Sequence, residues 1–120
     1  MMKKTLCLVV AFVLVGCVTG PPSDRYLDPG PMLIDIPGIV DAWFTENLFD
    51  PDSVKDLGIS ATDARWYRPP LSSEWVGVWA VCIRFNAVNR LGAYVGRQER
   101  YLAIRHGVVL GTRETCDWPR

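Results

Sequence analysis

The clearest pattern in the sequence is an alternation of apolar and other side chains between Glu74 and Val88. Apolar residues occupy odd positions of this stretch, namely Trp75, Trp79, Val81, Ile83 and Phe85. A period of two residues places such side chains on one face of a strand. The residues between them, which include Cys82, Arg84 and Asn86, would then face the other way. The pattern predicts one long strand with a buried face.

A second pattern, with helical spacing, follows Pro37. Val40, Trp43, Phe44 and Leu48 recur at intervals of three and four residues and would form one apolar face. Proline is accepted in the first turn of a helix, where its missing N–H has no partner to lose. The residue before a proline is disfavoured in helical conformation, so Asp50-Pro51 should end the element. We therefore predict a helix over 37–49.

Shorter apolar stretches predict four further strands, over 54–59, 64–67, 93–104 and 108–110. Turn residues separate the last three predicted strands, at 89–92 and at His106-Gly107. Gly96 indicates a bulge inside the strand predicted over 93–104. The tail over 111–120 is expected to be held only by Cys116. Together these elements predict an α+β fold, with one helix packed on a small antiparallel sheet.

The first sixteen residues have a different character. Lys3 and Lys4 precede an apolar run from Leu6 to Val15, which is the order found in a secretory signal peptide. The run is about half the length that is needed to span a bilayer, which argues against an uncleaved anchor. A secretory signal is therefore expected.

Leu14-Val15-Gly16-Cys17 resembles a bacterial lipobox. The resemblance implies cleavage before Cys17, a diacylglycerol on its thiol and acylation of the new amino group. More than one acyl chain anchors a protein stably, so the membrane would be a lasting partner. Val18, in place of an aspartate, favours the outer membrane by resemblance to lipoprotein sorting signals. A plain secretory signal with an unrelated cysteine is the alternative.

Residues 17–36 contain four prolines and two glycines, a composition that favours an extended, semi-rigid chain. We expect three parts in the chain: a signal peptide over 1–16, a lipidated cysteine and tether over 17–36, and an α+β domain over 37–120. The apolar segment Met32-Leu33-Ile34 is expected to dock on the domain and end the tether.

Charge is balanced overall but unevenly spread along the chain. Without Lys3 and Lys4, eleven basic residues face thirteen acidic ones, which gives no case for nucleic-acid binding. The part from Cys17 to Ala64 has a formal charge of −7, and the part from Arg65 onward has +5. Either the two parts pair within one fold, or the second part offers a basic surface to a partner.

Two of the four cysteines, Cys82 and Cys116, would remain unmodified in the mature chain. Two such cysteines in a small secreted domain normally form a disulfide, because the compartment is oxidising. Their spacing excludes a Cys-x-x-Cys motif. One histidine with two cysteines does not make up a zinc site, and we expect neither a metal nor a cofactor.

Three segments carry a combination of motifs: Asp50-Pro51-Asp52-Ser53, Val81-Cys82, and the stretch from Asn86 to Gly96 that holds Asn89, Gly92 and Tyr94. Together they resemble an uncharacterised family of small proteobacterial envelope lipoproteins. Family members carry a DP-x-S segment, a cysteine strand and an N-A-x-N-x-x-G-x-Y-x-G hairpin. The match covers about residues 45–105. It departs at Ile83, Val88 and Ala93, where glycine, lysine and glycine are common in the family. The resemblance implies an envelope lipoprotein and no established activity.

Candidate functional residues are few. His106 is the only histidine, and the sequence indicates no nucleophile or orienting partner for it, so we do not expect an enzyme. Arg84, Asn86, Asn89 and Tyr94 are candidates for a partner or ligand surface; the alternative is that the two asparagines and the tyrosine hold turn geometry. Trp75 and Trp79 are expected to pack on the helix aromatics Trp43 and Phe44, with sugar or peptide binding as the alternative.

The expected function follows from location and from one uncovered surface. A single helix covers only one sheet face, so Val76, Val78 and Arg84, with Arg97 or Arg100, are expected on a bare face that contacts another envelope protein. The sequence thus predicts a non-enzymatic structural or interaction module, lipid-anchored on the periplasmic side of the outer membrane. An inhibitor or immunity-type lipoprotein that blocks a periplasmic enzyme is the alternative.

Overall fold

The computed structural model describes residues 20–32 and 35–117. Helix α1 spans Ile36–Asn47, and the five strands of this part of the chain are β1 (Lys55–Ile59), β2 (Asp63–Tyr67), β3 (Val76–Asn86), β4 (Gln98–Arg105) and β5 (Val108–Arg113). Single 3₁₀ turns form at Asp24–Tyr26 and Pro51–Ser53. All strand pairs are antiparallel, and the helix packs on the sheet, which confirms the predicted α+β fold.

The start of α1 is set by Asp35. Its carboxylate accepts a hydrogen bond from the Gly38 N–H at 3.0 Å, which satisfies one of the free donors of the first turn. Pro37 lies in that turn, as predicted. The helix ends at Asn47, two residues before the predicted limit, because the backbone is already extended at Leu48.

Strand β3 is the centre of the sheet. On one side it pairs with β4, which pairs in turn with β5. On the other side β2 pairs with its first half and β1 with its second half. Ser60 bridges the gap between them, because its N–H donates to the Cys82 carbonyl and its Oγ accepts from the Cys82 N–H, both at 2.9 Å. β1 and β2 together thus occupy the position of one long strand beside β3, with an interruption at Ser60.

The main core lies between α1 and the sheet. Val81, Ile83 and Phe85 of β3 point into it, as the alternation predicted, and are fully buried. Phe44 of the helix meets Phe85 with ring centroids 4.9 Å apart. Burial of each such side chain contributes about 1.5–3 kcal/mol, so this face supplies much of the stability. The core residues are Val40, Phe44, Val81, Ile83, Phe85, Ala87, Leu102 and Ile104.

The face of the sheet that points away from the helix is covered around Val78, so the prediction that Val78 lies on a bare face was wrong, whereas Arg84 farther along β3 is exposed. Val78 has no exposed surface, because Tyr67 packs over Val78 and Ala103. The Tyr67 ring lies so close to Gly111 that a Cβ there would overlap it. Val78 therefore belongs to a second small core and is not available to a partner.

Residues 28–31, which we name the strap, lie against the sheet. The Asp28 carbonyl is so close to Gly77 that a Cβ there would overlap it. The Trp79 indole N–H donates to the carbonyls of Gly30 and Pro31 at 3.2 and 3.0 Å. Arg105 donates to the carbonyls of Asp28 and Gly77 at 2.5 and 2.8 Å. The last part of the predicted tether is thus fixed to the domain.

Two predicted limits at the end of the chain need correction. β4 begins at Gln98 and not at Ala93, because the bulge at Gly96 leaves only an isolated bridge between Val88 and Tyr94 before it. β5 continues to Arg113, so backbone hydrogen bonds as well as Cys116 hold this part of the tail. The expected docking of Leu33 and Ile34 lies outside the described residues.

Candidate functional site

The Pro51–Ser53 turn is hydrogen-bonded to the β3–β4 hairpin through one side chain. Ser53 Oγ donates to the Asp50 carbonyl at 2.7 Å and accepts from the Val88 N–H at 2.9 Å. The Asp50 carboxylate makes no capping hydrogen bond in this turn. The serine of the DP-x-S segment therefore connects two parts of the chain that are 35 residues apart.

Asn89 holds the tip of the hairpin. Its Oδ1 accepts from the Leu91 N–H at 2.9 Å and from the Ala93 N–H at 3.3 Å, and its own N–H donates to the Ala93 carbonyl. Gly92 closes the turn with a φ of 80°, a conformation that glycine adopts without strain. The predicted turn is confirmed, and the side-chain oxygen and the backbone N–H of Asn89 both take part in it.

Asn86 and Tyr94 continue the same network. Asn86 Oδ1 accepts from the Gly96 N–H at 3.1 Å and so supports the bulge. The Tyr94 hydroxyl donates to the Ser53 carbonyl at 2.8 Å, and the Lys55 ammonium lies 4.1 Å from the centre of its ring. The structure thus brings Asn86, Asn89 and Tyr94 together, but their polar atoms hold the hairpin in shape.

Arg84 belongs to a different cluster, on the sheet face away from the helix. Its Nε lies 3.2 Å from a carboxylate oxygen of Glu99, whose other oxygen accepts from the Cys116 N–H at 2.8 Å. The hydrogen bond from Cys116 and the nearby Arg84 guanidinium lower the pKa of Glu99 against the partial burial that raises it. Arg84 is therefore tied to the C-terminal tail.

A disulfide joins Cys82 to Cys116, as predicted. It connects Cys82, which is buried on the β3 face that points away from the helix, to the tail beyond β5. The Arg84–Glu99 pair lies next to this bond. Cys17, the predicted lipidation site, lies outside the described residues.

A groove that the sequence did not reveal lies between the end of α1 and the β3–β4 hairpin. Its volume is about 530 Å³, and we name it the hairpin groove. Its lining includes Leu48, Phe49, Arg90, Val95, Gln98 and Arg100, together with the predicted candidate Asn89. Phe49 and Val95 are 57% and 54% exposed, and the Arg90 guanidinium lies 5.6 Å from the centre of the Phe49 ring.

The sequence could have suggested the arginines of this groove but not the groove itself. The sequence offers Arg100, as an alternative to Arg97, for the face away from the helix. The structure contradicts this for Arg100, because its pairing with Ile83 places it on the helix-covered face, where it is half-buried. Phe49 lies beyond the end of α1 at Asn47 and is largely exposed. In a longer helix it would follow Thr45 and Glu46 on the polar face, so spacing alone does not assign it to the core.

The other aromatic and histidine candidates have structural contacts. The predicted packing of Trp75 and Trp79 on the helix aromatics needs correction. Trp79 binds the strap, and the ring of Trp75 lies 5.3 Å from the Arg68 guanidinium. The helix aromatics pack on Phe85 instead. His106 has a φ of 53° in the tight turn between β4 and β5, as its Gly107 neighbour predicted.

The loop between β2 and β3 forms a second surface feature. Ser72 N–H donates to the Pro69 carbonyl at 3.1 Å, and this turn places Leu71 at its tip with a φ of 63° and full exposure. A cleft of about 630 Å³ separates the loop from Thr112 and Arg113 of β5.

Neither a metal cluster nor a membrane-spanning helix was found within residues 20–32 and 35–117. No group of three or more potential ligand residues is close enough there to hold a metal ion. No helix of that part is long and apolar enough to cross a membrane.

The chain matches no protein-family model, and neither the curated proteins nor the solved structures include a significant match to it.

Proposed function

We propose that this chain is a lipid-anchored protein of the bacterial cell envelope that acts as a non-enzymatic interaction module on the periplasmic side of the outer membrane. The observation that carries the location is the Cys82–Cys116 disulfide, because such bonds persist in oxidising compartments. It agrees with the signal sequence and the lipobox-like segment that ends at Cys17.

The hairpin groove supports the interaction role. It combines exposed apolar side chains with arginines, the residue types that are enriched at the centres of protein interfaces. The candidate polar residues Asn86 and Tyr94 support the hairpin beside the groove. Asn89 holds the hairpin tip and also lies on the groove lining. These residues fix the shape of the surface.

The anchor is tested by cell fractionation of the variant Cys17→Ser. Loss of the thiol that receives the diacylglycerol should leave the protein unprocessed or soluble. Cys7→Ser, the same substitution inside the signal segment, is the control and should fractionate like the wild type. A processed outer-membrane species from Cys17→Ser would contradict the anchor.

One observation favours an inhibitor as the second candidate. Leu71 is held with positive φ, which costs a residue with a Cβ about 1–2 kcal/mol, and its apolar side chain is fully exposed at the tip of a proline-rich loop. A strained, exposed tip of this kind fits insertion into the pocket of an enzyme. A photoreactive residue at position 71 that captures a periplasmic enzyme, with position 91 at the exposed hairpin tip as control, would favour this role.

A further inference from the structure

We infer that the hairpin groove receives an acidic segment of another envelope protein, with an apolar side chain of that segment against Phe49 and Val95. The inference rests on the proposed function, since it names the partner chemistry of an interaction module. The charges, the apolar surface and the size of the groove support it.

Neither arginine of the groove forms an ion pair within the described residues, and the groove has an excess of positive charge. Within residues 20–32 and 35–117, the ion pairs shorter than 4 Å are Arg65–Asp63 and Arg84–Glu99, so neither Arg90 nor Arg100 has a carboxylate partner there. Arg100 donates one hydrogen bond, to the Glu99 carbonyl at 2.7 Å. Glu46 is the one acidic residue on the lining. A carboxylate from outside can therefore pair with guanidinium groups that have further donors free.

The apolar part of the groove favours a protein over a small anion. Phe49 and Val95 expose more than half of their surface on its two sides, and the Arg90 guanidinium lies near the face of the Phe49 ring. An arginine over an aromatic ring, beside exposed apolar surface, is the composition of an interface centre. A volume of about 530 Å³ accommodates several side chains.

A lipid surface is a weaker candidate for the same groove. Recognition of anionic headgroups usually needs four to eight clustered basic residues, whereas this groove offers two arginines and one glutamate. The aromatic and aliphatic walls would have no role in binding headgroup phosphates. The observations therefore favour an acidic peptide segment.

The first arm of the test is photocrosslinking in cells with the complete, membrane-anchored protein. A photoreactive amino acid replaces Val95 in the groove or Val108 as control, since these two valines are similarly exposed, at 54% and 58%. Val108 is at the start of β5 and outside the groove. The crosslinked peptide is identified by mass spectrometry, and we expect an acidic segment of an envelope protein from position 95 only.

The second arm reverses one charge. Arg90→Glu should lower the crosslinking yield from position 95 at least about tenfold, which corresponds to about 1.4 kcal/mol of lost affinity. Arg97→Glu is the matched control, because Arg97 is an exposed arginine of the same hairpin that does not line the groove. Formation of the Cys82–Cys116 disulfide in each variant verifies that it folds.

Some outcomes would reject only the acidic partner or the groove, and another would count against the interaction module itself. Three outcomes would overturn the inference of an acidic partner. They are capture of a neutral or basic segment, a lipid adduct at position 95, and a crosslinking yield that Arg90→Glu leaves unchanged. A specific protein captured from position 108 but not from position 95 would keep the interaction module and reject the groove. Absence of any specific product from both positions would count against the module as well.

Discussion

Ser53 shows how one hydroxyl can hold an interface within a small domain. It accepts from the backbone N–H of Val88 and donates to the carbonyl of Asp50, and it is partly buried. A buried backbone N–H that loses its partner costs about 1–3 kcal/mol. The hydrogen bonds of Ser53 thus give it a structural role in this domain.

We predict that Ser53→Ala lowers the free energy of unfolding by about 1–3 kcal/mol, because the Val88 N–H is left without its acceptor. The measurement is chemical denaturation with the disulfide intact. Ser72→Ala is the control, since the hydroxyl of Ser72 accepts an exposed N–H and water can replace it. Equal effects of the two substitutions would contradict the proposed role of Ser53.

Glu99 should make stability depend on pH. Its folded-state pKa is lowered by the Cys116 N–H and by Arg84, so the ionised form favours folding. This contribution is complete above the unfolded-state value of about 4.3 and is lost as the pH falls through the lower folded-state pKa. Urea midpoints of wild type and Glu99→Gln should therefore differ near neutral pH and converge in acid. A constant difference at all pH values would refute the assignment.

At the scale of elements, β3 connects every other part of the sheet. One end of its helix-side face is covered by the strap at Gly77 and Trp79, and the remainder by α1 through Val81, Ile83 and Phe85. Gly77 permits the close approach of the strap, because it lacks a Cβ. Two separate segments thus share one continuous face.

Gly77→Ala should displace the strap, because the new Cβ would overlap the Asp28 carbonyl. We expect faster proteolysis within residues 24–32 and a loss of stability of about 1–3 kcal/mol, as for an overpacked core. Gly58→Ala is the control, since a Cβ in that position of β1 meets no atom within 4 Å. Unchanged proteolysis of Gly77→Ala would show that the strap does not depend on this contact.

The sequence predicted the regular elements well because their periods are local. The alternation across β3 and the spacing of Val40 and Phe44 identify the buried face without any knowledge of partners. The docking of the strap was not predictable. Pro29 and Pro31 indicate an extended segment, but they carry no information on whether Trp79 binds that segment. The packing of Tyr67 over Val78 depends on a contact between two strands, which no local pattern encodes.

At the scale of the whole molecule, the disulfide closes a separation of 34 residues between β3 and the tail. In the chain-entropy model such a loop contributes about 3–4 kcal/mol by restricting the unfolded chain. The double variant Cys82→Ala, Cys116→Ala should be less stable by about this amount, as measured by thermal or denaturant unfolding. Adding a reductant should destabilise the wild type but not the variant; an equal response of both would contradict the prediction.

The strap and the hairpin groove lie toward opposite ends of β3. Gly77 and Asn86 are nine residues apart on this strand, which corresponds to about 30 Å. The eleven residue steps from Cys17 to Asp28 span at most about 40 Å. If Cys17 carries the lipid, this length exceeds the distance along β3, so either end of the strand can face the bilayer.

The central claim is that the protein is anchored by lipid in the cell envelope. The intact mass of the unreduced protein from bacterial membranes tests this claim most directly. We predict a chain that begins at Cys17, carries a diacylglycerol and one further acyl group, and has lost two hydrogen atoms to the Cys82–Cys116 bond. A chain that retains its first sixteen residues, or an unmodified Cys17 with free thiols at 82 and 116, would contradict a lipid-anchored envelope protein.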